Sequence, residues 1–264
     1  FDHGIGGLDG PYETFCFNQS QCVIHAAILL LINNGLLKWQ PFNQPRGVVT
    51  GSPGIGISVV ARQPEKRLKL YDMESCPFCK TVREALTALG LDAEIYPCPR
   101  GGKRFRQEAK RIGGKEQFPL LVDPNHQITM YESKAIVDYL FRTYGEMKTP
   151  AGYRPGGLRP LAGATGALLR LRRGTAVRAA EAPKQLLELW SFESSPYSRL
   201  VRERLTELEL PYILHNIGKE QFADMGPAAM RVKPGPYKPK AGGRREQVLA
   251  KFGRVQVPYL EDPN

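Results

Sequence analysis

The sequence predicts an α/β protein made of two tandem copies of one domain behind a non-globular N-terminal arm, and three observations carry that prediction. Residues 67–100 read as strand, turn, helix, strand, with Cys76-Pro77-Phe78-Cys79 at the turn. The stretch then recurs. Leu187 to Ser198 aligns with Leu68 to Cys79, and Glu74 matches Glu193, Pro77 matches Pro196, Arg83 matches Arg202 and Leu91 matches Leu210. Finally, Val257-Pro258 repeats Phe118-Pro119, and Glu261 to Asn264 repeats Val122 to Asn125. Self-similarity of this extent marks a repeated structural unit.

The arm occupies residues 1–66. Phe1 to Ser20 is Gly-rich with scattered aromatics and reads as extended. Cys22 to Leu37 is the most apolar stretch of the chain, yet too short to cross a bilayer as a helix. It reads either as a helix buried against a domain face or as a docking segment for a membrane interface or a larger complex. Two α/β domains that cover their own sheets do not need it, so the expected contact is a partner protein or a membrane surface. His25 within it reads as a core histidine, since no second ligand stands at metal spacing. Residues 40–66, rich in Pro and Gly, read as a tether.

Domain one is expected over 67–145. Leu68 to Tyr71 alternates like a short strand, and Val82, Ala85, Leu86 and Leu89 recur on one helical face before Gly90 stops the helix. Cys76 therefore falls at a helix N-terminus, where free amides and the macrodipole favour a thiolate. Pro77 suits the first helical turn, where its missing N–H costs little. Cys79, one turn on, is within reach to resolve a mixed disulfide. Cys98 reads as a small residue at a strand end or as a third redox thiol. Lys103, Arg104, Arg106, Lys110 and Arg111 give the second helix a cationic face. Strands follow at Leu120–Val122 and Ile128–Tyr131 around Asp123-Pro124-Asn125, and Glu132-Ser133 opens a helix running to Tyr144.

Cys-Pro-Phe-Cys followed by Lys80 and an amphipathic helix resembles glutaredoxin, a thioredoxin-like fold. The whole order β-α-β-α-β-β-α resembles the N-terminal domain of glutathione S-transferases and of membrane-associated prostaglandin E synthase type 2. The resemblance implies a redox or glutathione-binding domain with Cys76 and Cys79 as catalytic thiols. It implies that Pro77, Phe118, Pro119, Glu132 and Ser133 contact glutathione, with Pro119 cis and facing the cysteine. Glu132 and Ser133 would take the γ-glutamyl end, and the cationic face is either where carboxylates of glutathione are met or solvated surface. The repeat places a second cis proline at Pro258.

Residues 146–184 shift to Pro, Gly, Ala and Arg and read as a linker. It is too short and Gly-rich for the large helical domain of a classical transferase, which is therefore not expected. The second copy, 185–264, carries Ser195 and Ser198 in place of both cysteines, so it performs no dithiol chemistry. A basic, Pro- and Gly-rich insertion separates its second strand from Val257-Pro258. It lacks counterparts of the last strand and helix of copy one, so the natural chain is expected to continue past Asn264. The Phe1 start likewise suggests a processed precursor or an incompletely covered chain.

The tandem arrangement is similar to glutathione-transferase-N-terminal proteins of plant and algal chloroplasts, through YDMESCPFCK, VREALTALGL and YPCPRGG, and through LVRERLTELELPYIL in copy two. That resemblance implies a plastid protein of the stroma or the stromal thylakoid face. The chain has 264 residues, five cysteines and a formal net charge of +11. The odd cysteine count argues against a secreted disulfide scaffold. The basic excess lies in the linker and in residues 231–254. It suits an anionic membrane surface or acidic partner, or is solvated loop. No nucleic-acid motif accompanies it, so nucleic acid is not expected. Two functions remain open: a glutathione-dependent thiol–disulfide oxidoreductase acting on glutathione adducts or protein disulfides, or a non-catalytic scaffold subunit of a photosynthetic membrane complex docked through residues 20–40 and basic loops. An iron–sulfur glutaredoxin would need two protomers to share a cluster, and no metal site is read from the sequence.

Overall fold

Strand β1 (Leu68–Asp72) is the centre of the first copy, and all but one of its residues are buried. Helix α1 (Pro77–Leu89) starts at the expected proline, with Cys76 as its extended N-cap. It ends at Gly90, whose left-handed φ of 61° is the conformation that a residue without Cβ adopts freely. Strand β2 (Ala93–Pro97) returns parallel to β1. Helix α2 (Arg106–Gly113), antiparallel strands β3 (Leu120–Asp123) and β4 (Ile128–Met130), and helix α3 (Ser133–Thr143) complete the copy. Strands β1, β3 and β4 and helices α1 and α3 lie within a residue or two of their expected positions. The computed structural model describes residues 61–154, 173–224 and 236–264. The expectations for Cys22–Leu37 and His25, and those for residues 155–172 of the linker and 227–235 of the insertion, fall outside these residues.

The second copy repeats the plan with β5 (Leu187–Ser191), α4 (Pro196–Glu207), β6 (Tyr212–Asn216), α5 (Arg244–Phe252) and β7 (Tyr259–Glu261). Its turn chemistry is repeated too. Asn125 accepts from Lys66 N and donates to Lys66 O, both at 2.8 Å. Asn264 makes the same pair with Gln185 at 2.7 and 3.2 Å. Phe118-Pro119 and Val257-Pro258 are both cis, as expected.

The sequence does not announce how the copies meet. They share one seven-stranded sheet of order β4-β3-β1-β2-β6-β5-β7. The join is antiparallel pairing of β2 with β6, Ala93 opposite Leu214 and Ile95 opposite Tyr212. Each of these strands would otherwise present unpaired backbone groups, so each copy satisfies the other's open edge.

Beside this seam the repeat becomes a reciprocal ion-pair quartet. Arg83 Nε lies 3.0 Å from Glu193 Oε2, and Arg202 Nε lies 3.0 Å from Glu74 Oε2. Each arginine also binds the glutamate of its own copy, at 2.9 and 3.2 Å respectively for Arg83–Glu74 and for Arg202 with Glu193. All four side chains are buried. Such an array costs desolvation to form, but with every charge paired it is expensive to break. Further polar contacts close the seam. Thr87 Oγ1 donates to Asn216 Oδ1 at 2.7 Å, and Asn216 Nδ2 donates to Leu91 O at 2.6 Å. The Glu209 carboxylate accepts from Lys103 N and Arg104 N at 3.2 and 3.1 Å. Glu209 occupies the position of Gly90 with a φ of 48°, held there by those bonds. Gly102 permits the approach, because a Cβ there would sit 2.4 Å from Glu209 Oε1.

The quartet gives a direct expectation. Arg202→Met leaves two buried glutamates with one arginine and should lower unfolding stability by about 3–5 kcal/mol. Lys69→Ala, which removes a solvent-exposed pair with Glu94, should cost no more than about 1 kcal/mol. Urea unfolding of both variants checks the contrast.

Candidate functional site

The cysteines stand where β1 turns into α1. Cys76 is half-buried at the N-cap and Cys79 is fully buried one turn later. The fold makes the two thiols unlike. A hydrogen bond from the Cys79 thiol, then backbone N–H groups of Cys79 and Phe78 and the charge of Arg83, outweigh burial and bring the Cys76 pKa down to about 7. Burial, reinforced by Cys76 and Asp72, holds the Cys79 thiol well above its usual range. Cys76 is therefore the more readily ionised thiol of the pair, and Cys79 the one that keeps its proton.

Cys98 sits in an apolar cluster with Tyr71, Ala109 and Leu120, and burial first of all pushes its thiol up. Of the two readings left open by the sequence, the small packed residue is the one observed. Phe78, between the active cysteines, is about half exposed and offers apolar surface beside the thiols.

Two structural links connect some of the remaining residues expected at the site. The β1–β3 ladder pairs Tyr71 with Leu120, so the next position along puts cis-Pro119 beside Asp72, at the strand end leading to Cys76. Gln117 Nε2 donates to Glu132 Oε1 at 2.6 Å, tying the proline segment to the start of α3. Glu132 is exposed with a φ of 68°, and Ser133 is the buried first residue of α3. Pro77 is half-buried, and Phe118, also half-buried, carries the Arg106 guanidinium 4.9 Å over its ring.

The expected cationic face divides. Arg104 donates to Leu208 O and Glu209 O, both at 3.1 Å, and so belongs to the seam. Arg106 donates to Cys98 O at 2.8 Å and pairs with Glu116 at 2.6 Å. Lys103, Lys110 and Arg111 remain exposed.

In the second copy the corresponding place is a helix cap. Ser195 Oγ accepts from Ser198 N at 3.2 Å, which is ordinary N-capping. Ser191 and Ser198 bury hydroxyls that have no hydrogen-bond partner. Sequence reasoning missed Asp72. Its carboxyl pKa is raised to about 6, chiefly by burial, with Glu74 and Glu193 adding and Arg83 opposing. The available signal was that position 72 aligns with Ser191. Among the described residues no cluster of three or more His, Cys, Asp or Glu could hold a metal.

Residues 70–148 match the glutathione S-transferase N-terminal domain, and residues 189–264 match it a second time. Together these cover more than half of the chain, which belongs to that family. No curated protein matches it. Among solved structures, Bombyx mori glutathione transferase BmGSTD1 in complex with GTT is similar at 25% identity over 31% of this chain and 38% of its own, with a TM-score of 0.29. The trimeric glutathione transferase TDR1 of Leishmania is similar at 23% identity over 41% of this chain and 22% of its own, with a TM-score of 0.26. The chain thus spans less than two fifths of the length of these two enzymes.

Two measurements follow from the electrostatics. Iodoacetamide should label Cys76 in the folded protein at a rate rising through pH about 7 as its thiolate forms, leaving Cys79 and Cys98 unlabelled; mass spectrometry reads this. Equal labelling of all three would remove the redox site. For Asp72 the folded pKa lies above the unfolded one, so the native state keeps a proton the unfolded chain has lost, and stability falls as pH rises from about 4 to about 6. The fall is on the order of 3 kcal/mol. Asp72→Asn should remove it, so the difference in urea stability between wild type and variant changes over that range.

Proposed function

We propose that the protein is a glutathione-dependent thiol–disulfide oxidoreductase whose chemistry resides in the first copy. The observation that carries this reading is the unequal pair at the start of α1: Cys76 accessible and poised as thiolate, Cys79 buried and protonated. The Cys76 thiolate attacks a disulfide sulfur, that S–S bond breaks, and one half leaves as a thiolate while the other stays on Cys76. Cys79 resolves this mixed disulfide when the substrate is a protein. A glutathionyl adduct can instead be released by a second glutathione thiol.

The residues present fit glutathione. Glu132 presents an exposed carboxylate suited to the γ-glutamyl ammonium, and the first turn of α3 at Ser133 presents helix N–H groups suited to its carboxylate. Phe118 and cis-Pro119 supply the adjoining edge. Glutathione would provide the thiol that regenerates the enzyme. A classical transferase role gains no support, since the described residues between the copies contain one 3-10 turn, Ala151–Tyr153, and no helical domain. The scaffold-subunit reading rests on Cys22–Leu37, and comigration with a large complex in mild detergent would test it. The chloroplast location implied by the tandem resemblance belongs to the same proposal and is tested by imaging a fluorescent fusion.

With glutathione and a small glutathionyl mixed disulfide, Cys76→Ser should lose at least about a hundredfold in rate. Cys79→Ser should retain most of that activity and lose reduction of protein disulfides. A Cys76→Ser variant as active as wild type would sink the proposal.

A further inference from the structure

The charge of the chain is concentrated in two matching places. The segment joining β2 to β3 holds seven Lys and Arg against two Asp and Glu, and the segment joining β6 to β7 holds nine against three. Their combined excess is +11, the formal net charge of the whole chain, so the remaining residues balance. The carboxylates of the two segments are engaged within the fold. Glu108 accepts from Tyr71 Oη, Glu116 pairs with Arg106, and Glu220 accepts from Arg244 N and Arg245 N. Asp224 accepts from Tyr237 Oη, and Glu246 from Gly242 N. The ion pairs of these segments are made by Arg106, Arg244, Arg245 and Lys251. That leaves Lys103, Lys110, Arg111 and Lys115 of the first segment, and Lys238, Lys240 and Arg254 of the second, exposed with no carboxylate at ion-pair distance among the described residues.

Both segments lie on one face of the sheet. Asp72 meets Arg83 of α1, and Tyr71, one residue earlier and so on the opposite face, packs with Ala109 of α2. The ladder carries that face across the seam. Tyr71 is opposite Tyr96, Glu94 is opposite Ile213, and His215 is opposite Trp190. Partners across a ladder share a face, as do residues two apart along a strand. Trp190 in turn packs with Val248 and Phe252 of α5. Helices α2 and α5 therefore cover the same side of the seven strands. Both start at the seam: Arg104, ahead of α2, donates to Leu208 O and Glu209 O at 3.1 Å, and Arg244, at the start of α5, contacts Asp92. The result is one broad basic face astride the seam, with α1 and the Cys76 at its start on the other side.

We propose that the α2–α5 face docks the protein onto an anionic bilayer surface. A layer of lipid headgroups is a planar, diffuse anion that attracts many separate cations and asks for no shape complementarity. The face has that character. Five of its seven exposed cations are lysines, whose hydrated point charges suit diffuse attraction more than the bidentate phosphate grip of arginine. The exposed large hydrophobic side chains among the described residues are Phe78, Val177 and Tyr197. Phe78 and Tyr197 stand at the starts of α1 and α4, and Val177 lies in the chain joining the copies. Helices α2 and α5 thus present no exposed aromatic anchor of the kind that holds a protein partner or stacks on bases. Each cation brought within a Debye length of the headgroups is worth about fivefold in affinity, and neither copy alone carries the full set. Docking through this face leaves Cys76 on the side turned away from the membrane, and it is independent of the thiol–disulfide reading.

The test is sedimentation of the full-length protein with vesicles of phosphatidylcholine alone and of phosphatidylcholine mixed equally with phosphatidylglycerol. Binding is expected only to the anionic vesicles, and it should vanish at about 1 M salt, where charges are screened beyond about 3 Å. The paired reversals Lys110→Glu with Arg111→Glu, and Lys238→Glu with Lys240→Glu, should each weaken it at least about tenfold. Lys134→Glu with Arg142→Glu on α3 reverses the same number of charges, and α3 packs against α1. That pair should change binding by less than about threefold. All six side chains are exposed, so the reversals leave the core intact. Equal weakening by all three pairs overturns the proposal by reducing the attraction to net charge. Salt-insensitive binding to phosphatidylcholine alone overturns it in favour of apolar insertion by another part of the chain. Failure to bind either vesicle overturns it outright. Tighter binding to a duplex DNA probe than to the anionic vesicles at the same salt replaces the lipid surface with nucleic acid.

Discussion

Two arginines and two glutamates, exchanged between the halves of an internal repeat, hold this molecule in its shape. Arg83 reaches Glu193 and Arg202 reaches Glu74 across the seam, while each also binds the glutamate of its own copy, so every buried charge of the quartet is shared between the halves. The arrangement is more demanding than apolar packing. A hydrophobic seam tolerates small shifts, whereas a buried guanidinium that loses its carboxylate is left with an uncompensated charge. The quartet thereby fixes the register in which β2 and β6 pair and joins four strands of the first copy and three of the second into one continuous sheet.

The same guanidinium links architecture to chemistry. Arg83 lies one helical turn from Cys79, contacts Asp72, and helps lower the Cys76 pKa. Its orientation is set in part by Glu193, a residue of the copy without thiols. The serine copy is thus more than a duplicate without thiols: it closes the open edge of the first copy and supplies an electrostatic partner to the copy that carries them. The copies differ at 72, 76 and 79 against 191, 195 and 198, and keep the glutamates and arginines of the quartet that bind them together.

Much of this was legible in the sequence, for identifiable reasons. The cysteine pair, Pro77 and Gly90 are local signals, since helix starts and stops are set by neighbouring residues, and α1 lies where they place it. The internal repeat revealed the second copy, its cis proline and its Asn264 turn. The matches of Glu74 with Glu193 and of Arg83 with Arg202 were visible only as alignment. Nothing local in either segment shows that each residue binds the opposite copy. Edge pairing was hidden for a related reason: alternation along a strand reports which faces are buried, not whether an edge is occupied. Arg104 and Arg106 read as either ligand-binding or solvated cations, because composition records charge but not the carbonyls, Leu208 O and Cys98 O among them, that engage it.

Asp72 illustrates the limit most clearly. An aspartate at a strand end is unremarkable in sequence, where turns commonly begin with one. Its importance comes from burial, from the neighbouring carboxylates Glu74 and Glu193, and from the serine at the matching place in the other copy. These are a packing fact, a charge count over residues up to 130 positions apart, and a comparison within the chain. Only the last could be read before the fold, and only by asking which differences between the copies accompany the loss of the cysteines. Applied to the whole repeat, that question separates residues retained to hold the halves together from residues retained to do chemistry.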